Sequence, residues 1–168
     1  AFEAGWMAHA VTDGLTPAHH FPLTEAQEQL MTEKDFIKVF GIPIKGIMHG
    51  RSSLETLRNN WLYWGASGYM SKHVAFEYGV AITMTALPER VVMPKLTQNQ
   101  LYDVNLKEVF YQSLARISSL NMYTRFLDQG WTTDLALETK DILLPEIVRA
   151  ITLCWASSIP ALVAKKRS

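Results

Sequence analysis

Apolar positions along this chain recur mostly at steps of three and four, broken by Gly, Pro and short polar stretches. That is the pattern of successive amphipathic helices rather than of strands. It predicts a helix over residues 1–14, ended by Gly14 and followed by a loop carrying Pro17 and Pro22. Thr24, with Gln27 three residues on, has capping-box form and opens a polar helix through about Phe40. "GIPIKGIMHGRSS", residues 41–53, is a Gly/Pro-punctuated loop. Ser52 or Ser53 then caps a helix through Trp64, "GASG" interrupts it, and a second helix runs from about Tyr69 to Ala86. Pro88 to Pro94 is irregular, and further helices are expected over 98–120, 121–129 and 134–163. Gly130 has C-cap character and Thr133 N-cap character, while Pro145 fits the first turns of the last helix or marks a kink. Only "ERVVMP" has strand character, and it is short. The expected fold class is all-α, one multi-helix domain over 1–168.

Composition narrows the function classes. Lys plus Arg and Asp plus Glu both number 16, so no global basic field argues for nucleic acid and no acidic block for a disordered partner segment. The single cysteine, Cys154, excludes an internal disulfide framework and cysteine-rich zinc fingers. Its apolar flanks, "ITLCWAS", read as a buried structural thiol. The longest apolar run contains Glu146, Arg149 and two prolines, so it reads as buried helix and not as a bilayer span. "AFEAGWMAHAV" opens inside a helical pattern, as if an N-terminal segment precedes it.

The titratable groups that could carry chemistry are clustered. Three of the five histidines fall within "MAHAVTDGLTPAHH", residues 7–20. On a helix, His9 and Asp13 project from one face a turn apart, so a ring nitrogen and a carboxylate oxygen can reach one metal or two adjacent ones. Pro17 stiffens the turn that brings His19 back. His73 and Glu77, again at i and i+4, form a second pair of the same kind in "SKHVAFEYG". A lone pair of this spacing is common as a surface hydrogen bond. Two of them among so few histidines are a constellation, and the bland alternative is a polar network with no metal.

His-x3-Asp-x3-Pro-x-His, here "HAVTDGLTPAH", followed by "HVAFE", resembles the zinc-dependent phospholipases C and S1/P1 nucleases. The resemblance implies a helical bundle with a cluster of up to three zincs. His9 would ligate one zinc, Asp13 would bridge two, and His19, His73 and Glu77 would hold a third. It also implies phosphoester hydrolysis, in which closely spaced zincs activate a water and neutralise the phosphate oxygens. The substrate would be a phospholipid headgroup or a nucleotide. Secretion is the localisation implied, with a cytoplasmic site also open. The family's remaining ligands lie upstream of this motif. Glu3 is the one candidate before His9, and this chain alone supports one to two zincs. The interval from His19 to His73 is longer than is usual in the family, so residues 21–68 read as an inserted helix and loop region. The rival reading is a non-catalytic helical module that keeps a partial or vestigial metal site for structure or for binding.

The remaining candidates weigh toward bland roles. Trp61, Tyr63, Trp64 and Tyr69 could wall a cleft for a choline headgroup or a nucleobase, but aromatics at this density are more often core. Trp6 reads as packing, His20 as surface, and Lys165 to Arg167 as a solvated tail. His49 could supply a further ligand, and Lys45 and Arg51 could contact phosphate. No Glu-x-x-His, His-Glu-x-x-His or Gly-rich phosphate loop occurs.

Overall fold

A computed structural model of the chain describes residues 2–20, 48, 50–86, 94–102 and 104–158. The described residues form helices and turns with no strand among them, an all-α architecture. Among them no helix is long and apolar enough to cross a membrane. The chain divides into two compact units, residues 1–20 with 78–168, and residues 21–77. The expected helix over 25–40, "ERVVMP" up to Met93, His49, Lys45 and the basic tail lie outside the described residues.

In the first unit, α1 spans Phe2–Leu15 and leads into a short 3-10 turn, Pro17–His19. After residue 77 follow the last turns of α3 (Tyr69–Ala86; α2 belongs to the second unit), then α4 (Gln98–Tyr102) and α5 (Leu106–Ser118). The unit closes with α6 (Met122–Gln129), α7 (Thr133–Glu138), a π-turn (Thr139–Leu143) and α8 (Leu144–Ser157). Helix α8 is the spine, packed against by α1, α4 and α5. Its buried residues Glu146, Ile147, Ala150 and Leu153 follow the three- and four-residue spacing of a one-sided stripe. Leu15, Ala18, Ile117, Met122, Leu135 and Leu143 complete a core in which each is at most 2 % exposed.

Most boundaries follow their capping chemistry, and three differ from expectation. The Ser52 side chain accepts from the Glu55 N–H and opens a helix, as expected. Gly130, at φ 74°, ends α6 with its N–H on the Phe126 carbonyl. Gly14, however, lies inside α1, which runs on to the buried Leu15. Thr132, one residue before the expected cap, takes the N-cap role through the Leu135 N–H. The expected helix over 98–120 is two helices. Asn105 accepts from the Glu108 N–H and starts α5 afresh, while Thr97 and Gln100 cap α4 reciprocally.

The last helical stretch carries a wide turn, and Pro145 explains it. Proline has no N–H for the carbonyl four residues back, and in an unbroken α-helix its ring would press on that carbonyl. The chain yields just upstream, over Thr139–Leu143. One side effect is a fully buried Thr139 hydroxyl with no hydrogen-bond partner. An orphaned buried hydroxyl costs about 1–3 kcal/mol, so Thr139→Val, which keeps the shape, should hold or raise stability by roughly 1 kcal/mol. Urea unfolding tests this. A midpoint that falls by the equivalent of more than about 1 kcal/mol would mean that the hydroxyl is bonded after all.

The second unit, over its described residues, holds α2 (Ser53–Trp64) and α3 as far as Glu77. Asn60 ties the preceding chain to α2, accepting from the Met48 N–H and donating to the Met48 carbonyl. Gly65 ends α2 through its N–H on the Trp61 carbonyl.

Candidate metal centre

Helix α1 is anchored along one side and open along the other. Leu15 is fully buried, α1 packs against α5 and α8, and Trp155 Nε1 donates to the Ala4 carbonyl. Phe2, Trp6 and His9 lie at i, i+4 and i+7 on the open side, with successive rings edge to face. Trp6 is 60 % exposed, which corrects the expectation that it packs. It sits on the face turned away from the Leu15 side of the helix.

Asp13 continues that open stripe. His9 Nε2 lies 3.2 Å from Asp13 Oδ2, and His19 Nε2 lies 4.0 Å from Asp13 Oδ1. One carboxylate therefore turns its two oxygens toward two different imidazoles. The loop that returns His19 is built locally. The Thr16 N–H donates to the Asp13 carbonyl, Pro17 opens the 3-10 turn, and the His19 N–H donates to the Thr16 carbonyl. Ala18, fully buried between Pro17 and His19, pins the turn, which packs against α6. His20 is exposed, as expected. Its Nε2 lies 2.6 Å from the Gly14 carbonyl, and because a carbonyl only accepts, that nitrogen carries the proton. Its lone pair at that atom is therefore not offered to a metal.

The second pair lies in the other unit and is closed in the same way. His73 Nε2 is 3.1 Å from Glu77 Oε1 on α3, with the imidazole nearly buried and the carboxylate about half exposed. Tyr69 flanks the ring at 6.1 Å between centroids, and Tyr63 lies 6.3 Å from Tyr69. The expected aromatic group is thus divided. Trp61 is 69 % exposed and Trp64 is partly exposed, while Tyr63 and Tyr69 lead toward His73. Burial, and then the neighbouring Tyr69, push the Tyr63 hydroxyl's pKa up. Arg51 is exposed, and its N–H donates to Glu55 at the start of α2, so its backbone serves the helix cap. Cys154 is partly rather than fully buried, and that burial still raises its thiol pKa.

Each histidine–acid pair is thus preformed within its own unit. The His9–Asp13 pair, largely exposed on one helix, contributes little to stability. What the arrangement offers chemically is imidazole nitrogens beside carboxylate oxygens, the donor types that zinc accepts. Sequence reasoning missed a second polar constellation, Ser113, Arg116, Glu146 and Arg149, described below. The available signal was Glu146 and Arg149 three apart in an otherwise apolar run. Neither family models nor curated proteins nor solved structures give a match to this chain.

Gly14 holds this geometry by its smallness. A methyl group there would meet the Phe110 ring of α5 at 2.8 Å. Gly14→Ala gains helix propensity but forces α1 and that ring apart, and overpacking of this kind costs about 1–3 kcal/mol. Thermal unfolding of the variant should show a lower Tm; an unchanged or higher one would mean that the Phe110 ring swings aside freely.

Proposed function

We propose that this protein is a zinc-dependent phosphoester hydrolase, with His9, Asp13, His19, His73 and Glu77 as its metal ligands. The observation that carries the reading is the Asp13 carboxylate, whose two oxygens each face a different histidine. A carboxylate with both oxygens presented in this way would suit a bridge between two ions, one of them held by His9. By the resemblance below, His19, His73 and Glu77 would hold a further zinc, since imidazole nitrogens and carboxylate oxygens are donors that zinc accepts. The resemblance of "HAVTDGLTPAH" and "HVAFE" to the phospholipase C and S1/P1 nuclease motifs supports the same assignment.

Zinc, when bound, supplies Lewis acidity that lowers a water's pKa toward neutrality and offsets the charge of phosphate oxygens. The chain's own residues do the rest. Asp13 orients the His9 ring from 3.2 Å, and Tyr69 packs beside His73. The exposed Phe2–Trp6 face, continuous with His9, gives an apolar substrate group a place to lie. Substrates are phosphoesters of a lipid headgroup or a nucleotide. With balanced charge, the chain is not built to hold a long polyanion.

Elemental analysis of protein purified without chelator should give one to three zincs per chain, and a chromogenic phosphodiester should be hydrolysed. Asp13→Asn keeps the shape but removes the bridging charge, and it should lower turnover by at least about a hundredfold. His73→Ala should lose one zinc while keeping helix content by circular dichroism. Unchanged zinc stoichiometry in that variant would sink the ligand assignment. Zinc bound in full, with no hydrolysis of phosphodiesters or phospholipids, would favour a binding module instead.

A further inference from the structure

Away from the histidines, the first unit contains a cleft of about 520 Å³ lined by α5, the π-turn and the start of α8. Its chemistry centres on Glu146, which is 6 % exposed. One oxygen of that carboxylate accepts from Arg116 Nη1. The other accepts from Ser113 Oγ at 3.1 Å and from Arg149 Nε and Nη2 at 3.1 and 3.0 Å. Arg149 Nη2 also donates to Ser113 Oγ at 2.9 Å. One carboxylate oxygen thus takes three donors, while the other takes one, Arg116 Nη1.

The guanidiniums are not saturated in turn. Each has five N–H groups. Arg116 spends one on Glu146, and Arg149 spends its Nε and Nη2 hydrogens on Glu146 and Ser113. The other donors of both have no acceptor among the described residues. Two positive charges face one negative charge, so the group keeps a net positive charge and a surplus of donors beside an open cleft. The further acid on the lining, Asp141, has Lys140 Nζ at 3.8 Å to offset it. Pro94, Ile142 and Pro145 supply apolar lining, and the volume falls in the range of small-molecule sites and well beyond that of a bare ion.

We propose that this cleft binds a small organic oxyanion, a phosphate or carboxylate head on a compact apolar body. The head takes the spare N–H groups of Arg116 and Arg149, and the body lies on Pro94, Ile142 and Pro145. Planar forks of this kind match oxyanions in bidentate fashion. The Glu146–Ser113 arrangement holds Arg149 in one rotamer, so little side-chain entropy is lost on binding. The π-turn is consistent with such a role, since wide turns inside helices occur often at functional sites. The site is independent of the zinc reading, because it shares no residue with the histidine pairs.

The test is a titration of the full chain with phenyl phosphate, phenylacetate and, as the uncharged control, benzyl alcohol. Binding is followed at the Arg116 and Arg149 Nε–H resonances, which ignore anything bound at the histidines. Both anions or one of them should shift these resonances saturably, and which one binds identifies the head group; benzyl alcohol should not. Arg116→Gln, at a side chain already 61 % exposed, should weaken binding about tenfold, the loss of one charge-assisted contact. Ile142→Asp leaves every arginine contact in place and should abolish binding by setting a carboxylate in the cleft. Failure of both anions to bind at millimolar concentration overturns the proposal. So does equal binding of benzyl alcohol, or undiminished anion affinity in Arg116→Gln and Ile142→Asp.

Discussion

Glu146 sits at a depth where an unpartnered carboxylate would be costly, and its four hydrogen bonds are what make the position tolerable. The four donors belong to three side chains. Ser113 and Arg116 come from α5, and Arg149 comes from the next turn of α8 itself. The network therefore sets how α5 lies on α8. Those two helices together form the seat for α1, with Leu15 as the buried contact and Gly14 allowing close approach to Phe110. The direction in which α1 presents His9 and Asp13 is a consequence of that seating. A polar cluster between α5 and α8 thus governs where the α1 pair, His9 and Asp13, points.

Local chemistry was the part of this fold most legible in the sequence. The Ser52 cap, the Gly130 stop and the all-helical class follow from residues within a few positions of one another. Both histidine–acid pairs were visible for the same reason, since i and i+4 meet on any helix. The return of His19 toward Asp13 was readable because Pro17 and the short interval leave the chain few other paths. Errors arose where packing outbid propensity. Gly14 reads as a terminator, but contact with Phe110 and burial of Leu15 keep it helical. Trp6 reads as core because of its size, while the helix phase that buries Leu15 turns it outward.

Contacts between distant segments left almost no local trace. Arg116 and Glu146 lie on different helices, and nothing in either neighbourhood announces the partner. In the sequence, Glu146 and Arg149 register only as charges that interrupt an apolar run. The split between α4 and α5 has a cap, Asn105, yet one asparagine in a helical pattern is weak punctuation until its Glu108 partner is seen.

The π-turn ahead of Pro145 has a further meaning as a unit of length. An α-helix advances about 100° per residue, so a turn holding one extra residue rotates everything downstream by about that angle. The buried stripe of α8 and both of its network residues, Glu146 and Arg149, follow this turn and owe their bearing to it. Were any one of residues 139–143 lost, the downstream stripe would turn by about 100° and Glu146 would swing away from Ser113 and Arg116. The segment behaves as a phase-setting spacer. Its residue count is under tighter constraint than its residue identities, and insertions or deletions there are far costlier than substitutions.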